Sequence, residues 1–76
     1  MEVKWFESHR GKTYPVKFKF EGKDYDVDEI VYQELREDFE TRERHRIFYV
    51  RSGDEIFKIV HSLSDDSIYI QRFNLL

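Results

Sequence analysis

The chain has 76 residues, a net charge of −3 and a charged fraction of 38%. This length supplies one small domain over residues 1–76 with no room for a second core, and the absence of cysteine excludes disulfides and thiolate metal sites. The core must therefore be held by packing, for which seven Phe, five Tyr and one Trp are available. The negative net charge also argues against a dedicated nonspecific nucleic-acid binder.

The sequence shows no pattern of secretion or membrane insertion. The N-terminus lacks an apolar run before a small-residue cleavage site, and nowhere do 18 apolar residues stand together. A chain without cysteine fits a reducing compartment. We therefore expect a cytoplasmic protein with no membrane contact.

Two segments near the N-terminus predict strands, and the second of them begins a hairpin. Met1–Glu7 carries β-favouring residues and predicts an edge strand, and in Thr13–Phe20 apolar residues alternate with lysine, the period of a half-buried strand. Glu21-Gly22 then predicts a two-residue hairpin loop. Counting back from this loop gives the pairs Phe20–Lys23, Lys19–Asp24, Phe18–Tyr25, Lys17–Asp26 and Val16–Val27.

The segment Asp24–Phe39 allows two interpretations. Apolar residues recur at helical spacing, and Asp26 with Glu29 resembles a capping box, which together predict a helix at 28–40. A turn at Asp38–Thr41 would instead give a long hairpin with the pairs Glu37–Arg42, Arg36–Glu43, Glu34–His45, Val31–Phe48 and Ile30–Tyr49. We favour the hairpin because this one register pairs charges at the tip and apolar groups at the base.

The last third predicts a meander of three strands. Arg46–Arg51, Glu55–His61 and Ser67–Phe73 are β-branched and aromatic, with two-residue loops expected at Gly53-Asp54 and Asp65-Asp66. The predicted fold is all-β, a five- to six-stranded antiparallel meander that curls into a small barrel or half-barrel. The residues expected on its one apolar side are Val16, Phe18, Phe20, Tyr25, Val27, Val31, Leu35, Phe48, Val50, Phe57, Ile59, Ile68 and Ile70.

No pattern in the sequence predicts an enzyme, a metal site or a cofactor. His9, His45 and His61 do not stand at short ligand spacings, and there is no nucleophile elbow. Each glycine is explained by a turn, so no phosphate loop is predicted. We expect a noncatalytic protein.

A second apolar face predicts a protein interface. In the register above, the side of the strands away from the core collects apolar residues where a solvated face should be polar. These residues are Ile30, Tyr32, Ile47, Tyr49, Ile56, Val60 and Tyr69. Either the termini cover them, through Val3, Trp5 or Phe6 and through Leu75 and Leu76, or the face binds a partner, most simply a second copy in a homodimer, or another protein.

The N-terminal region supports an alternative function, the binding of nucleic acid by a small β-barrel. Such proteins stack bases on aromatic side chains beside a cationic groove. The candidate residues are Lys4, Trp5, Arg10, Lys12, Lys17 and Lys19. Against this, Lys17 and Lys19 are expected to pair with aspartates.

The order of turn and core residues resembles a family of small bacterial domains of unknown function. The matching positions are Arg10-Gly11, Pro15, Phe18, Phe20, Gly22, Tyr25, Val27 and Gly53. The resemblance covers most of the chain and supplies no site residue. Some genes of that family sit beside genes of error-prone polymerases, which implies a link to nucleic acid.

Overall fold

A computed structural model describes residues 3–73, and all their regular structure is β-strand. The strands are β1 (Val3–Glu7), β2 (Thr13–Phe20), β3 (Lys23–Asp26), β4 (Glu29–Glu37), β5 (Arg44–Ser52), β6 (Glu55–Ser62) and β7 (Ile68–Phe73). They form two antiparallel sheets, an N-terminal sheet β1-β2-β3 and a C-terminal sheet β4-β5-β6-β7. The all-β prediction is confirmed, and the alternative helix at 28–40 is wrong because β4 occupies that segment.

The strand count and the closure differ from the prediction. The described residues form seven strands rather than five or six, and their two sheets do not close into a barrel. The chain passes from one sheet to the other at Asp28, whose N–H donates to the Arg51 carbonyl at 2.9 Å. The Asp28 carboxylate accepts the Gly53 N–H at 2.7 Å, which ties this corner to the β5–β6 turn. Within residues 3–73 there is no helix that could cross a membrane.

The predicted β2–β3 hairpin is confirmed pair by pair. Phe20 lies opposite Lys23 and Phe18 opposite Tyr25, and the Val27 N–H donates to the Val16 carbonyl at 3.0 Å. Glu21 and Gly22 both have positive φ, at 49° and 80°. This geometry belongs to the two-residue turn whose twist matches that of the strands it joins.

The long hairpin of β4 and β5 is present, but its predicted register is wrong by two residues at the tip. Glu37 pairs with Arg44 instead of Arg42 because the loop spans six residues rather than a tight turn. The Asp38 carboxylate accepts the Glu40 N–H at 2.9 Å, and the Asp38 carbonyl accepts the Arg42 N–H at 2.7 Å. These bonds stabilise the wider loop. A shift of two residues leaves each side chain on its predicted side of the strand.

A β-bulge at Val31 changes which side Ile30 faces. Ile30 lies opposite Val50 while Tyr32 lies opposite Tyr49, so Val31 is the extra residue. Ile30 therefore points to the same side as Val50 and packs against the core. The prediction that Ile30 belongs to the second apolar face is wrong, since a bulge has no signature in the alternation of residue types.

The meander of β5, β6 and β7 follows the prediction at its first loop only. Ser52 pairs with Glu55 across the two-residue loop Gly53-Asp54. The second loop is longer than the predicted Asp65-Asp66, because the last pair of β6 and β7 is His61–Ile68. The Ser62 N–H donates to the Ser67 carbonyl at 2.9 Å within that loop. The difference is again an even number of residues, so the faces are preserved.

The core lies between the two sheets, which pack face to face. Its buried residues are Val3, Phe18, Phe48, Val50, Phe57 and Ile59, and partly buried side chains packed against them include Trp5, Tyr14, Phe20, Tyr25, Val27, Ile30, Ile68 and Ile70. Ten of the thirteen predicted core residues are in this set. Val16 is half-buried outside it, whereas Val31 and Leu35 are 53% and 59% exposed because the hairpin extends beyond the N-terminal sheet.

Candidate functional site

The outer face of the C-terminal sheet, the side turned away from the N-terminal sheet, is the candidate site. Ile47, Val60 and Tyr69 lie side by side across β5, β6 and β7, one residue out of phase with the buried Phe48 and Ile59. Side chains alternate between the two sides of a strand, so this row points outward. Six of the seven predicted interface residues share this face, namely Tyr32, Ile47, Tyr49, Ile56, Val60 and Tyr69, whereas Ile30 does not.

An aromatic row crosses the outer face from β4 to β7. The ring centroids of Tyr32 and Tyr49 are 5.9 Å apart, and those of Tyr49 and Phe73 are 5.5 Å apart. Sequence reasoning missed Phe73, although its position opposite Ile56 follows from the same alternation once the β6–β7 loop is known. Tyr32 and Tyr69 are 52% and 60% exposed, while Ile47 between them is only 6% exposed. The face thus has an apolar centre with half-exposed tyrosines around it.

Most charges on the outer face are paired with one another. The Glu34 carboxylate accepts hydrogen bonds from the Tyr32 hydroxyl and the Arg36 guanidinium, each at 3.0 Å. The first of these bonds, followed by the negative charge of Glu34, raises the pKa of the Tyr32 hydroxyl above its ordinary value. At the other end, Arg51 pairs with Glu29 at 3.2 Å. Lys58 makes no ion pair among the described residues, and its Nζ lies 5.9 Å from the centre of the Tyr49 ring.

The N-terminal strand does not cover the outer face, as one interpretation expected. Val3 is buried in the core on the opposite side, and the Trp5 ring lies 5.7 Å from Phe48 on the inner face. Phe6 contacts Tyr14, with ring centroids 5.2 Å apart. Leu75 and Leu76, the other predicted cover, lie outside the described residues. Within residues 3–73, the outer face has no element packed over it.

The structure does not bring the six residues of the predicted nucleic-acid site together at one place. Trp5 is turned into the core, so its ring is not available for stacking on a base. Arg10 and Lys12 lie at the β1–β2 loop. Lys4 and Lys17 lie directly opposite each other on β1 and β2. Lys17 and Lys19 also lie opposite Asp26 and Asp24, but the ion pairs within 4.0 Å among residues 3–73 do not include them.

The remaining chemistry of the described residues is limited. His61 pairs through Nε2 with Asp66, and its buried Nδ1 has no hydrogen-bond partner beside the Trp5 ring. Among residues 3–73, no group of three His, Cys, Asp or Glu side chains is placed to hold a metal ion. The hydrogen bonds that Ser67 and Ser62 donate to Asp65 lower the pKa of its carboxyl, which stabilises the β6–β7 loop.

Sequence reasoning also missed a groove beside the edge of β4. It has a volume of about 670 Å³ and runs between the start of β2, at Lys12–Tyr14, and the segment Ile30–Leu35. Its floor is Phe48, with Arg46 beside it. The groove exists because the chain leaves the N-terminal sheet at Asp28 before β4 begins. A register derived from the sequence for a single meander contains no such gap.

The fold and the outer face define the class of the protein, a small two-sheet antiparallel β domain with an apolar face that no part of residues 3–73 covers. No protein-family model, curated protein or solved structure matches the chain. The resemblance to small bacterial domains therefore stays a prediction.

Proposed function

We propose that the protein is a noncatalytic, cytoplasmic interaction module that forms a homodimer through the outer face of its C-terminal sheet. One observation carries the proposal: Tyr32, Tyr49 and Tyr69 lie around the apolar Ile47, Phe73 continues the aromatic row beside Tyr49, and none of the described chain packs over them. Contiguous apolar surface of this kind marks interaction sites in soluble proteins.

A second copy suits this face because most of its charges are paired within each copy. Glu34 is bound by Arg36, and Glu29 is bound by Arg51, whereas Lys58 makes no ion pair among the described residues and lies over the Tyr49 ring. Two such faces can meet with one uncompensated cation each, and an oppositely charged partner would find only Lys58 to pair with. A two-fold axis would place each tyrosine row against its symmetry mate.

The size of the face predicts a weak dimer. Four strands about 4.8 Å apart and about 26 Å long give a face of roughly 500 Å². Joining two such faces removes roughly 1,000 Å², the lower limit for a specific interface. We therefore expect a dissociation constant on the order of micromolar or weaker, with dimers at high protein concentration.

Sedimentation velocity over a concentration series tests this proposal. We expect a concentration-dependent dimer that Tyr69→Glu or Tyr49→Glu weakens at least about tenfold, because each places an uncompensated charge in the interface. Phe39→Glu is the matched control, since Phe39 is 86% exposed in the hairpin loop away from this face. A monomer at all concentrations, or equal effects of the test and control variants, would contradict the proposal.

A second candidate, nucleic-acid binding by the N-terminal sheet, is supported by one observation. Lys4 and Lys17 are direct cross-strand neighbours, and like charges so placed repel unless an anion lies between them. Salt-dependent binding of single-stranded DNA or RNA that Lys4→Glu weakens would support this function. The absence of any binding at low salt would exclude it.

A further inference from the structure

The two sheets leave a seam between β2 and β4, which consists of the groove described above and a smaller cavity that continues it. The smaller cavity, of about 270 Å³, is lined by Pro15 and Val27 and shares Tyr14 and Ile30 with the larger groove. The seam therefore runs along both strands from the β1–β2 loop to the corner at Asp28.

Both sides of the seam are strand edges without a β partner among residues 3–73. β2 pairs with β3 only over Lys17–Phe20, with one further bond at Val16, so its segment 13–15 is paired on the β1 side alone. β4 is the first strand of the C-terminal sheet and pairs only with β5. Free N–H and C=O groups along a strand edge are the template for adding another strand.

The side chains along the seam combine apolar surface with positive charge. Val31 and Leu35 are 53% and 59% exposed on β4, so this edge offers apolar surface although the strand also carries charged residues and a bulge at Val31. Lys12 and Arg46 line the same groove, and the ion pairs of the described residues include neither. Glu34, the acidic residue of the lining, is already bound by Arg36.

We propose that the seam binds an extended peptide segment of a partner protein, added as a strand along β4, whose groove-facing side chains, at every second position, include both apolar and acidic residues. Leu35 and Arg46 lie opposite each other on the same side as Phe48. The apolar side chains therefore pack on Phe48, Val31 and Leu35, and the acidic ones on the same side of the peptide pair with Lys12 and Arg46. Ile30–Leu35 covers about 17 Å of strand, so the bound segment is about five residues long. This binding goes beyond self-association, because it uses the free edge of β4 rather than the outer face.

Fluorescence anisotropy with three labelled peptides tests the proposal on the full chain. The probe is a seven-residue peptide with valine at positions 1 and 5, glutamate at positions 3 and 7 and serine between them, acetylated and amidated at its ends, so that valine and glutamate face the same side. The first control replaces glutamate by lysine, and the second carries N-methyl groups on alternate amides, which removes the donors that strand addition needs. We expect saturable binding of the probe and at least tenfold weaker binding of both controls.

Charge reversal in the protein gives the sharper test. Lys12→Glu combined with Arg46→Glu should weaken the binding of the glutamate peptide at least tenfold and shift the binding preference toward the lysine peptide. Leu35→Glu should weaken both peptides, while Tyr69→Glu, on the outer face, should leave peptide binding unchanged. Trp5 is the single tryptophan and lies against the core, so its fluorescence reports whether each variant is folded.

Four results would overturn the proposal. The first is that the glutamate peptide does not bind the folded protein saturably, and the second is that the N-methylated peptide binds as tightly as the glutamate peptide. The third is that charge reversal leaves the preference between the glutamate and lysine peptides unchanged. The fourth is that single-stranded DNA competes with the labelled peptide as well as unlabelled peptide does. If Leu35→Glu changed the sedimentation coefficient, the seam would be the binding site of a second copy of this chain. That result would also overturn the peptide proposal.

Discussion

Phe57 is fully buried at the centre of a group of aromatic rings that joins the two sheets. Its ring centroid lies 4.9 Å from that of Phe18 and 4.8 Å from that of Tyr25, both in the N-terminal sheet. Arg72 closes this part of the core, with its guanidinium 5.8 Å from the Phe57 ring centre. Because the chain has no disulfide, contacts of this kind hold the sheets together.

Replacing Phe57 should therefore cost a large part of the total stability. Phe57→Ala is expected to lower the free energy of unfolding by about 3–5 kcal/mol, because a fully buried ring is lost and a cavity remains. Urea denaturation followed by Trp5 fluorescence measures this value. Phe39→Ala, at an 86% exposed ring, is the control, with an expected change within about 0.5 kcal/mol. Similar losses for both variants would contradict the described core.

Tyr32 gives a second prediction at this scale, through its hydrogen bond to Glu34. The folded protein holds the pKa of the Tyr32 hydroxyl above the ordinary 10.0, so it favours the neutral phenol. The stabilisation is fully present below the ordinary pKa and is lost as the pH rises through the folded pKa. Glu34→Gln removes the negative charge and should bring the pKa of Tyr32 down.

Carbon-13 NMR titration of the tyrosine ring carbons measures this pKa. Glu29→Gln is the matched control, because Glu29 binds Arg51 instead and does not bond to Tyr32. An equal pKa of Tyr32 in the Glu34→Gln variant and the wild type would show that the bond is not made in solution.

At the scale of the elements, short-range patterns predicted most of the strands and two of the hairpin loops. The residue types at Glu21-Gly22 and Gly53-Asp54 favour two-residue turns, and these set the registers of the strands they join. The loops after β4 and β6 are longer because side chains such as Asp38 and Asp65 bind loop N–H groups. Residue types alone do not determine such loop lengths.

The bulge at Val31 was beyond sequence reasoning for a different reason. An extra residue reverses the alternation only on one side of it, so Ile30 and Tyr32 look equivalent in the sequence but face opposite sides of the sheet. Of the candidate site, six residues were predicted and Phe73 was missed. The seam was not predicted, since it depends on where the chain changes sheets.

A pair of lysine substitutions tests the bulge. Ile30→Lys should destabilise the protein by about 1–2 kcal/mol, because it removes a partly buried side chain from the core. Val31→Lys should change stability by less than about 0.5 kcal/mol, since this side chain is 53% exposed. Thermal or urea denaturation compares the two variants. If β4 were a regular strand without the bulge, Val31→Lys would destabilise the protein more than Ile30→Lys.

At the scale of the whole molecule, the seven strands use one side of the C-terminal sheet for the core and leave the other uncovered in the described residues. Val3 and Trp5 bring the N-terminal sheet onto the inner face. Six connections of two to six residues join the seven strands, so no described connection is long enough to reach across to the outer face. The outer face therefore keeps its aromatic row exposed in the described residues, and we propose that a second copy binds there.

Isotope-filtered NMR on an equal mixture of carbon-13-labelled and unlabelled protein tests this claim most directly, at a concentration near millimolar. We expect nuclear Overhauser effects between chains that involve the rings of Tyr32, Tyr49 and Tyr69, and none that involve Phe57. Tyr69→Glu should abolish them. The absence of any effect between chains at that concentration, or effects that arise from residues away from the outer face, would contradict dimerisation through this face.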